Sequence, residues 1–422
     1  MENISISALS ATCGEKTSDR SRRFALVRLT IDFFEENRER IGEGNLLELI
    51  HTLRRAVETE CRAQERVVEE SAEGLNVLLL YGQRDELDRR IGGWGGPFYQ
   101  SIDSRGLPHD LSFSAGICEI GESYDAAAET QYARKAKFAM RFGRICSSPF
   151  TRYYSDADYQ TLRRQRYLET QIAAAFRERQ LLVYLQPQYG LSTQRIVGAE
   201  ALVRWEHPKL GMLPPDQFIP LFEQDRYIIQ LDFYVLEETC RLLRRWRSMN
   251  LPVLPVSVNF SRQHAVTGDF VRRFLEVVER YGVRPGELCL EWTENVFAES
   301  DIPVGKIAGQ LRSRGFQIAM DDFGSGYSSL NMLTDLPVDV IKLDKQFLKF
   351  DRRDPRRPFL LKRMLQIACA LHYTVLAEGV ESVWQAELLR SLGYEYVQGF
   401  LFSRPVPAPA YERMLCAQAA GN

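Results

Sequence analysis

Residues 374–381 read TVLAEGVE, an apolar run that ends on two carboxylates three residues apart. A charge beside a strand that is apolar on both faces is costly unless something pairs with it, so this stretch asks for a partner elsewhere in the chain. Seven more runs of the same kind lie around it: LLVYLQPQY (181–189), IVGAEALVRW (196–205), PVSVNF (255–260), LCLEWTE (288–294), QIAMDDFG (317–324), VIKLDK (340–345) and YVQGF (396–400). Short apolar strands alternating with amphipathic helices over about 240 residues predict an α/β fold, a (β/α)8 barrel of the TIM type. In such barrels the chemistry stands at the C-terminal ends of the strands.

Taken in order, the strand ends carry Gln186, Glu200 and Arg204, Asn259, Glu291 and Glu294, Asp321 and Asp322, Lys342, Glu378 and Glu381, and Gln398. Any one of these alone reads as a cap or a surface ion pair. Five carboxylates at one barrel mouth, from Glu200, Glu291, Asp321, Asp322 and Glu378, repel one another and need a counter-charge of several units. Carboxylate and amide oxygens without His or Cys favour hard cations such as Mg²⁺ or Mn²⁺ over zinc. The adjacent Asp321 and Asp322 suit two ions about 3.5 to 4 Å apart bridged by one carboxylate, an arrangement that activates water against a phosphoryl group. A phosphodiester is then the natural substrate. Lys342 suits orienting the attacking water or offsetting phosphate charge, and Arg204 suits a phosphate oxygen.

The bulk composition agrees. The chain has 422 residues, 45% hydrophobic and 26% charged, with a formal net charge of −2, so no whole-chain field points to nucleic acid or an anionic membrane. Its eight cysteines include no C-x-x-C pair, the usage of reduced thiols. No run reaches the roughly 18 apolar residues of a membrane span and no basic-then-apolar leader opens the chain, so a cytoplasmic location is expected.

Ahead of the barrel, residues 23–155 have another texture. FALVRLTID (24–32), LNVLLLY (75–81) and LSFSAGICEI (111–120) read as strands, and the charged stretch 45–70 reads as helical, an α+β pattern of single-domain size. Residues 1–22 are expected to be a flexible segment, residues 156–180 a polar helical connector, and residues 181–422 the barrel domain.

The ordered set EALVRW, SVNFS, LEWTE, DDFGSGYSSL, IKLD, AEGVE and QGFLFSRP resembles the motifs of the EAL-domain family of cyclic di-GMP phosphodiesterases, from about Leu181 to Leu415. The resemblance implies hydrolysis of cyclic di-GMP to linear 5′-pGpG with two Mg²⁺ or Mn²⁺ ions in a bacterial second-messenger system. It implies that Glu200, Asn259, Glu291 and Asp321 hold one ion, and that Asp321 bridges to a second held by Asp322 and Glu378. Lys342 would stand by the hydrolytic water. Gln186 and Arg204 match positions that touch substrate, and Gln398 would support the site by hydrogen bonding on the substrate side. Glu294 resembles a glutamate that anchors the loop after Asp322, which in the family couples the site to a dimer interface, and Glu381 would stand behind the metal ligands. A homodimer through the barrel domain is implied. Trp292 stands where a smaller aliphatic is usual, and Ser382 replaces a common threonine.

Residues 23–155 resemble, weakly, a GGDEF cyclase domain that has lost its signature. Ser71-Ala72-Glu73-Gly74-Leu75 stands in the signature's place, without the glycine pair that lets backbone amides approach a nucleotide, and Thr30 replaces the usual metal aspartate while Asp32 remains. No cyclase activity is expected, and the role is regulatory or structural. The run Arg62 to Glu65 (RAQE) reads as a solvated helix face, and Arg352 to Arg357 as a solvated loop. Two other readings compete with the enzyme: a non-hydrolytic cyclic di-GMP receptor, and a barrel enzyme for another phosphodiester. The metal and base positions are all present, which favours the enzyme.

Overall fold

The computed structural model describes residues 15–16, 22–143 and 151–420, apart from 72, 225, 265–267, 299–303, 325–336 and 352–353. Most of the segment 1–22, the loop 325–330 and part of the basic run 352–357 therefore fall outside the described residues. The chain divides between Arg164 and Gln165 into two compact units. The helix Asp156–Arg177 runs across that boundary.

The first unit is built on a five-stranded sheet, in the order Arg66–Ser71, Gly74–Tyr81, Arg23–Ile31, Phe113–Gly121, Thr151–Tyr153, antiparallel except for the last pair. The central strand is covered on both faces, so every residue from Phe24 to Ile31 is buried, Arg28 and Thr30 included, and burial does not alternate. Ala25, Val27, Leu29 and Ile31 pack with Leu46, Leu53 and Phe98 on one side, while Phe24 and Leu26 pack with Tyr124 and Ala136 on the other.

Two readings of this unit need correction. The stretch 45–70 is not one helix: the helix Glu43–Glu60 ends at Cys61, whose backbone is extended, and Gln64 turns through a left-handed conformation. Arg66–Ser71 then enters the sheet, where β-branched Val67 and Val68 are at home. Glu65, read as solvated, is buried. Its carboxylate accepts from both Arg90 terminal nitrogens (2.8 and 2.7 Å) and from the backbone N–H groups of Arg62 and Leu80 (2.8 and 2.9 Å). These partners hold its pKa below the usual range although burial alone would raise it.

The second unit holds a closed sheet of eight strands: Leu181–Gly190, Ile196–His207, Val256–Asn259, Leu288–Thr293, Gln317–Phe323, Val340–Leu343, Thr374–Ala377 and Tyr396–Val397. The second to eighth strands run parallel, and the first closes the barrel by pairing with both the second and the eighth. It does so antiparallel, so the alternation of strand and helix fails at its first step. Only residues 191–195 join the first two strands, too few for a crossover helix and enough for a hairpin. The hairpin register sets Gln186 opposite Glu200.

Along the second strand Ala199, Ala201, Val203 and Trp205 are buried on the outward side, and Glu200, Leu202 and Arg204 share the other face by the two-residue period. Trp292 has room because it packs among Phe260, Phe270 and Phe297 with ring centroids 5.9 to 6.5 Å apart. Ser382 does the capping work of a threonine: its hydroxyl accepts from the Gln385 N–H, and the Gln385 side chain accepts from the Ser382 N–H. Among the described residues no helix is long and apolar enough to cross a membrane.

Candidate metal centre

Lys342, on the sixth barrel strand, is 1% exposed, and its ammonium lies 2.8 Å from Glu291 Oε2, 2.8 Å from Glu378 Oε1, 3.2 Å from Asp321 Oδ1 and 3.3 Å from Glu200 Oε2. Four strands thus deliver a carboxylate to one lysine. Asn259 Nδ2 donates to Glu200 Oε1 (2.8 Å) and Gln398 Nε2 donates to Glu200 Oε2 (2.6 Å), with Gln186 Oε1 at 3.3 Å from the same amide. The Gln186 amide reaches across to the carbonyl of Ser403 at 3.3 Å.

The carboxylates fall into two triads, Glu200–Glu291–Asp321 and Asp321–Asp322–Glu378, each with one oxygen per residue within 4.8 Å of the others. Asp321 belongs to both. Asp322 reaches its place through a left-handed backbone (φ 54°), tolerable for a short polar side chain, where the pairing of the fifth and sixth strands slips. Its N–H donates to Asp321 Oδ1 at 2.9 Å. Gly379, just after Glu378, also has positive φ (66°), and a Cβ there would lie 2.3 Å from Lys345 Cβ.

One ammonium does not neutralise this cluster. Burial raises the Glu291 pKa well above the ordinary value, with Glu200 and Asp321 adding to it against the pull of Lys342. Glu378 is pushed up to about 8 by burial and by Asp321 and Glu200, and Asp322 to about 6 by burial, Asp321 and Asp344. Burial would raise Glu200 too, but Lys342, Gln398 and Asn259 hold it below the usual carboxylate value. Lys342 itself is held well above the usual ammonium value by its carboxylates, against its burial. Two buried oxygens, Glu291 Oε1 and Gln398 Oε1, have no hydrogen-bond partner. An all-oxygen donor set with spare acceptors and surplus negative charge fits a hard divalent cation.

The other expected residues sort as follows. Glu294 is buried and accepts from the Gly324 N–H at 2.6 Å, at the start of the loop it is expected to anchor. Arg204 lies beyond the cluster, its guanidinium 5.8 Å from the Tyr184 ring centre and donating to the Val203 carbonyl at 2.8 Å. Gln186, Glu200 and Arg204 do not end their strands, which continue to Gly190 and His207. Glu381 stands apart: it is exposed, and its backbone N–H serves the Gln385 side chain. Asp344 was missed, although it is buried and shares a hydrogen bond with Asp322. Its signal was its place two residues after Lys342, just past the strand's end at Leu343. A cavity of about 780 Å³ opens beside Asn259, lined also by Leu202, Asp232, Phe260, Ser261 and Gln263.

The sequence profile of the EAL domain matches residues 169–405. The chain belongs to the EAL-domain family. Among its relatives, the oxygen sensor protein DosP of Escherichia coli (strain K12) is 34% identical over 308 residues, 73% of this chain and 38% of DosP. The bifunctional diguanylate cyclase/cyclic di-GMP phosphodiesterase MucR of Pseudomonas aeruginosa is 29% identical over 408 residues, 94% of this chain and 57% of MucR. The chain therefore spans 38% of the length of the first of these relatives and 57% of the second. A solved structure of the PaMucR phosphodiesterase in complex with c-di-GMP superposes with a TM-score of 0.55 and 34% identity, covering 58% of this chain and 99% of that one. The EAL barrel and its acidic cluster, which could bind metal, are thus placed in a family whose named members include phosphodiesterases for cyclic di-GMP.

Proposed function

We propose that the chain is a metal-dependent phosphodiesterase that hydrolyses cyclic di-GMP to linear 5′-pGpG. The observation that carries this is the pair of carboxylate triads sharing Asp321 around Lys342. Glu200, Asn259, Glu291 and Asp321 would hold one Mg²⁺ or Mn²⁺, and Asp321, Asp322 and Glu378 a second. Such ions, when bound, polarise a phosphoryl oxygen and make a nucleophile of water at neutral pH. The chain's own groups do the rest. One water is consumed and one phosphorus–O3′ bond breaks, leaving a 5′-phosphate and a free 3′-hydroxyl. Lys342 orients the water, Gln398 and Asn259 fix Glu200, and Gln186 and Arg204 contact the dinucleotide, with Arg204 matched to a phosphate oxygen. The cavity beside Asn259 is large enough for a purine base.

The first unit is read as a degenerate GGDEF-like domain without cyclase chemistry. MucR, which this chain matches over 94% of its length, carries both activities in its name. Here Thr30 Oγ1 is tied to the Glu73 carbonyl, both Asp32 oxygens accept from Ser112 and Ser114 at 2.7 Å, and Arg28 spans Ser71 and Asn76. Among the described residues no metal-ready acidic group lies in this unit. Its role is regulatory or structural, and a cytoplasmic homodimer through the barrel is the assembly we propose.

The test is turnover of cyclic di-GMP by the purified full chain with Mg²⁺ or Mn²⁺ and with chelator, the product identified by chromatography against pGpG. Metal-dependent appearance of pGpG is expected. Tight binding without turnover would instead make the protein a receptor, and turnover of other phosphodiesters alone would reassign the substrate.

A further inference from the structure

Resting on the reading of the cluster as a metal site, we propose that the Lys342 ammonium is a resident counter-ion that divalent cations displace, so that metal loading is an exchange of cations. The ammonium touches Glu200, Glu291 and Asp321 of one triad and Asp321 and Glu378 of the other. Three N–H groups face four carboxylates, so the nitrogen sits at the centre of negative charge rather than in a set of one-to-one hydrogen bonds. Among the described residues no other cation lies within ion-pair distance of these oxygens.

A divalent ion needs those same oxygens, and it needs them closer. The lysine holds them at 2.8 to 3.3 Å, whereas Mg²⁺ takes oxygen ligands at about 2.0 to 2.1 Å. Nζ and the ion cannot share the centre, because like charges a few ångström apart in a buried site repel strongly. The backbone of Lys342 is fixed by its pairing with Leu376, so the move falls to the four-carbon side chain, which is flexible enough to withdraw Nζ while leaving the strand in place. The lysine thus performs two tasks in sequence: it compensates the carboxylates before loading and stands beside the loaded ions afterwards. It opposes metal binding while it keeps the binding site assembled.

A helper that only recruits water would not resist the metal, and this difference is measurable. The full chain is compared with Lys342→Met, which keeps the length and removes the charge, and with Lys342→Arg, which keeps the charge. Mn²⁺ binding is read by calorimetry, and thermal unfolding in chelator by circular dichroism. The expected result is that Lys342→Met unfolds at lower temperature in chelator yet binds Mn²⁺ at least about tenfold more tightly than the wild type, while Lys342→Arg binds no more tightly. Equal or weaker Mn²⁺ affinity in folded Lys342→Met overturns the exchange, as does tighter binding by Lys342→Arg. If Lys342→Met is unfolded in chelator, Mn²⁺ must restore its far-ultraviolet signal, and failure to do so overturns the proposal. Wild-type chain that binds no Mn²⁺ brings down the metal reading itself; wild-type chain that binds it, with Lys342→Met no tighter, brings down the exchange alone.

Discussion

Glu200 is fixed from three sides, by Asn259, Gln398 and Lys342, in the middle of a strand whose outward neighbours form the barrel wall. Replacing it by Ala removes a ligand without opening that wall, so Glu200→Ala should retain its far-ultraviolet spectrum while turnover falls by at least about a hundredfold, the upper range for loss of a group supporting a metal. The raised carboxylates also fix the sign of the pH response. Glu378 and Asp322, at about 8 and about 6, bind their protons more tightly folded than unfolded, so without divalent ions the barrel loses stability as pH rises from about 4 through 8. Metal binding requires those protons to leave, so Mn²⁺ affinity should rise over the same window. Thermal midpoints in chelator and calorimetric Mn²⁺ titrations between pH 5.5 and about 8.5 check both slopes; a midpoint that climbs with pH in chelator would contradict the assignment. At this scale the sequence was most readable where charge cannot be hidden: five carboxylates on the strand ends, against only Arg204 and Lys342 there, called for a further counter-charge. Glu381 is exposed two residues beyond the left-handed turn at Gly379, and spacing alone does not reveal where a turn points.

Among the elements, the short strand ends are shaped by backbone as much as by side chain. Gly379→Ala adds a methyl group 2.3 Å from Lys345 Cβ at a positive φ, so the segment carrying Glu378 must shift. Displacement of a reacting group by about 1 Å can cost a hundredfold in rate, and Gly379→Ala should lose turnover on that order with every chemical group still present. In the first unit the buried Glu65–Arg90 pair ties the turn before Arg66–Ser71 to the neighbouring strand. Arg90→Met leaves the buried carboxylate without its cation, held only by two backbone N–H groups, a loss of about 3 to 5 kcal/mol. Faster hydrogen exchange at the Leu80 amide, which donates to Glu65, reports it; unchanged protection would show that the pair carries no such weight. Both features escaped the sequence. The composition of RAQE is that of a solvated helix, and only the break at Cys61 and Gln64 turns Glu65 inward. The antiparallel first strand was hidden for the opposite reason: its residues look like any barrel strand, and direction is set by a link of five residues whose shortness was legible but not weighed.

For the whole molecule, the barrel was legible because eight apolar runs recur at barrel spacing, whereas the first unit shows a foldable pattern without residues that declare a purpose. If that unit regulates the barrel, the segment 161–422 and the full chain should differ in turnover or in mass in solution, measured by product formation and by light scattering over a range of protein concentrations. Identity in both would leave the first unit without a regulatory role. The antiparallel closing strand has a further consequence for how the protein is made. Gln186 meets Gln398, and the Ile196 backbone bonds the Gln418 side chain, across 212 and 222 residues respectively. During synthesis the opening hairpin leaves the ribosome long before the eighth strand exists, and the first strand waits with one edge unpaired while the other six strands of the wall are translated. The amide that fixes Glu200 arrives 198 residues after it. A message truncated at Leu392 therefore yields an open, sticky-edged sheet rather than a weakened barrel, and protein quality control is what such a product meets first.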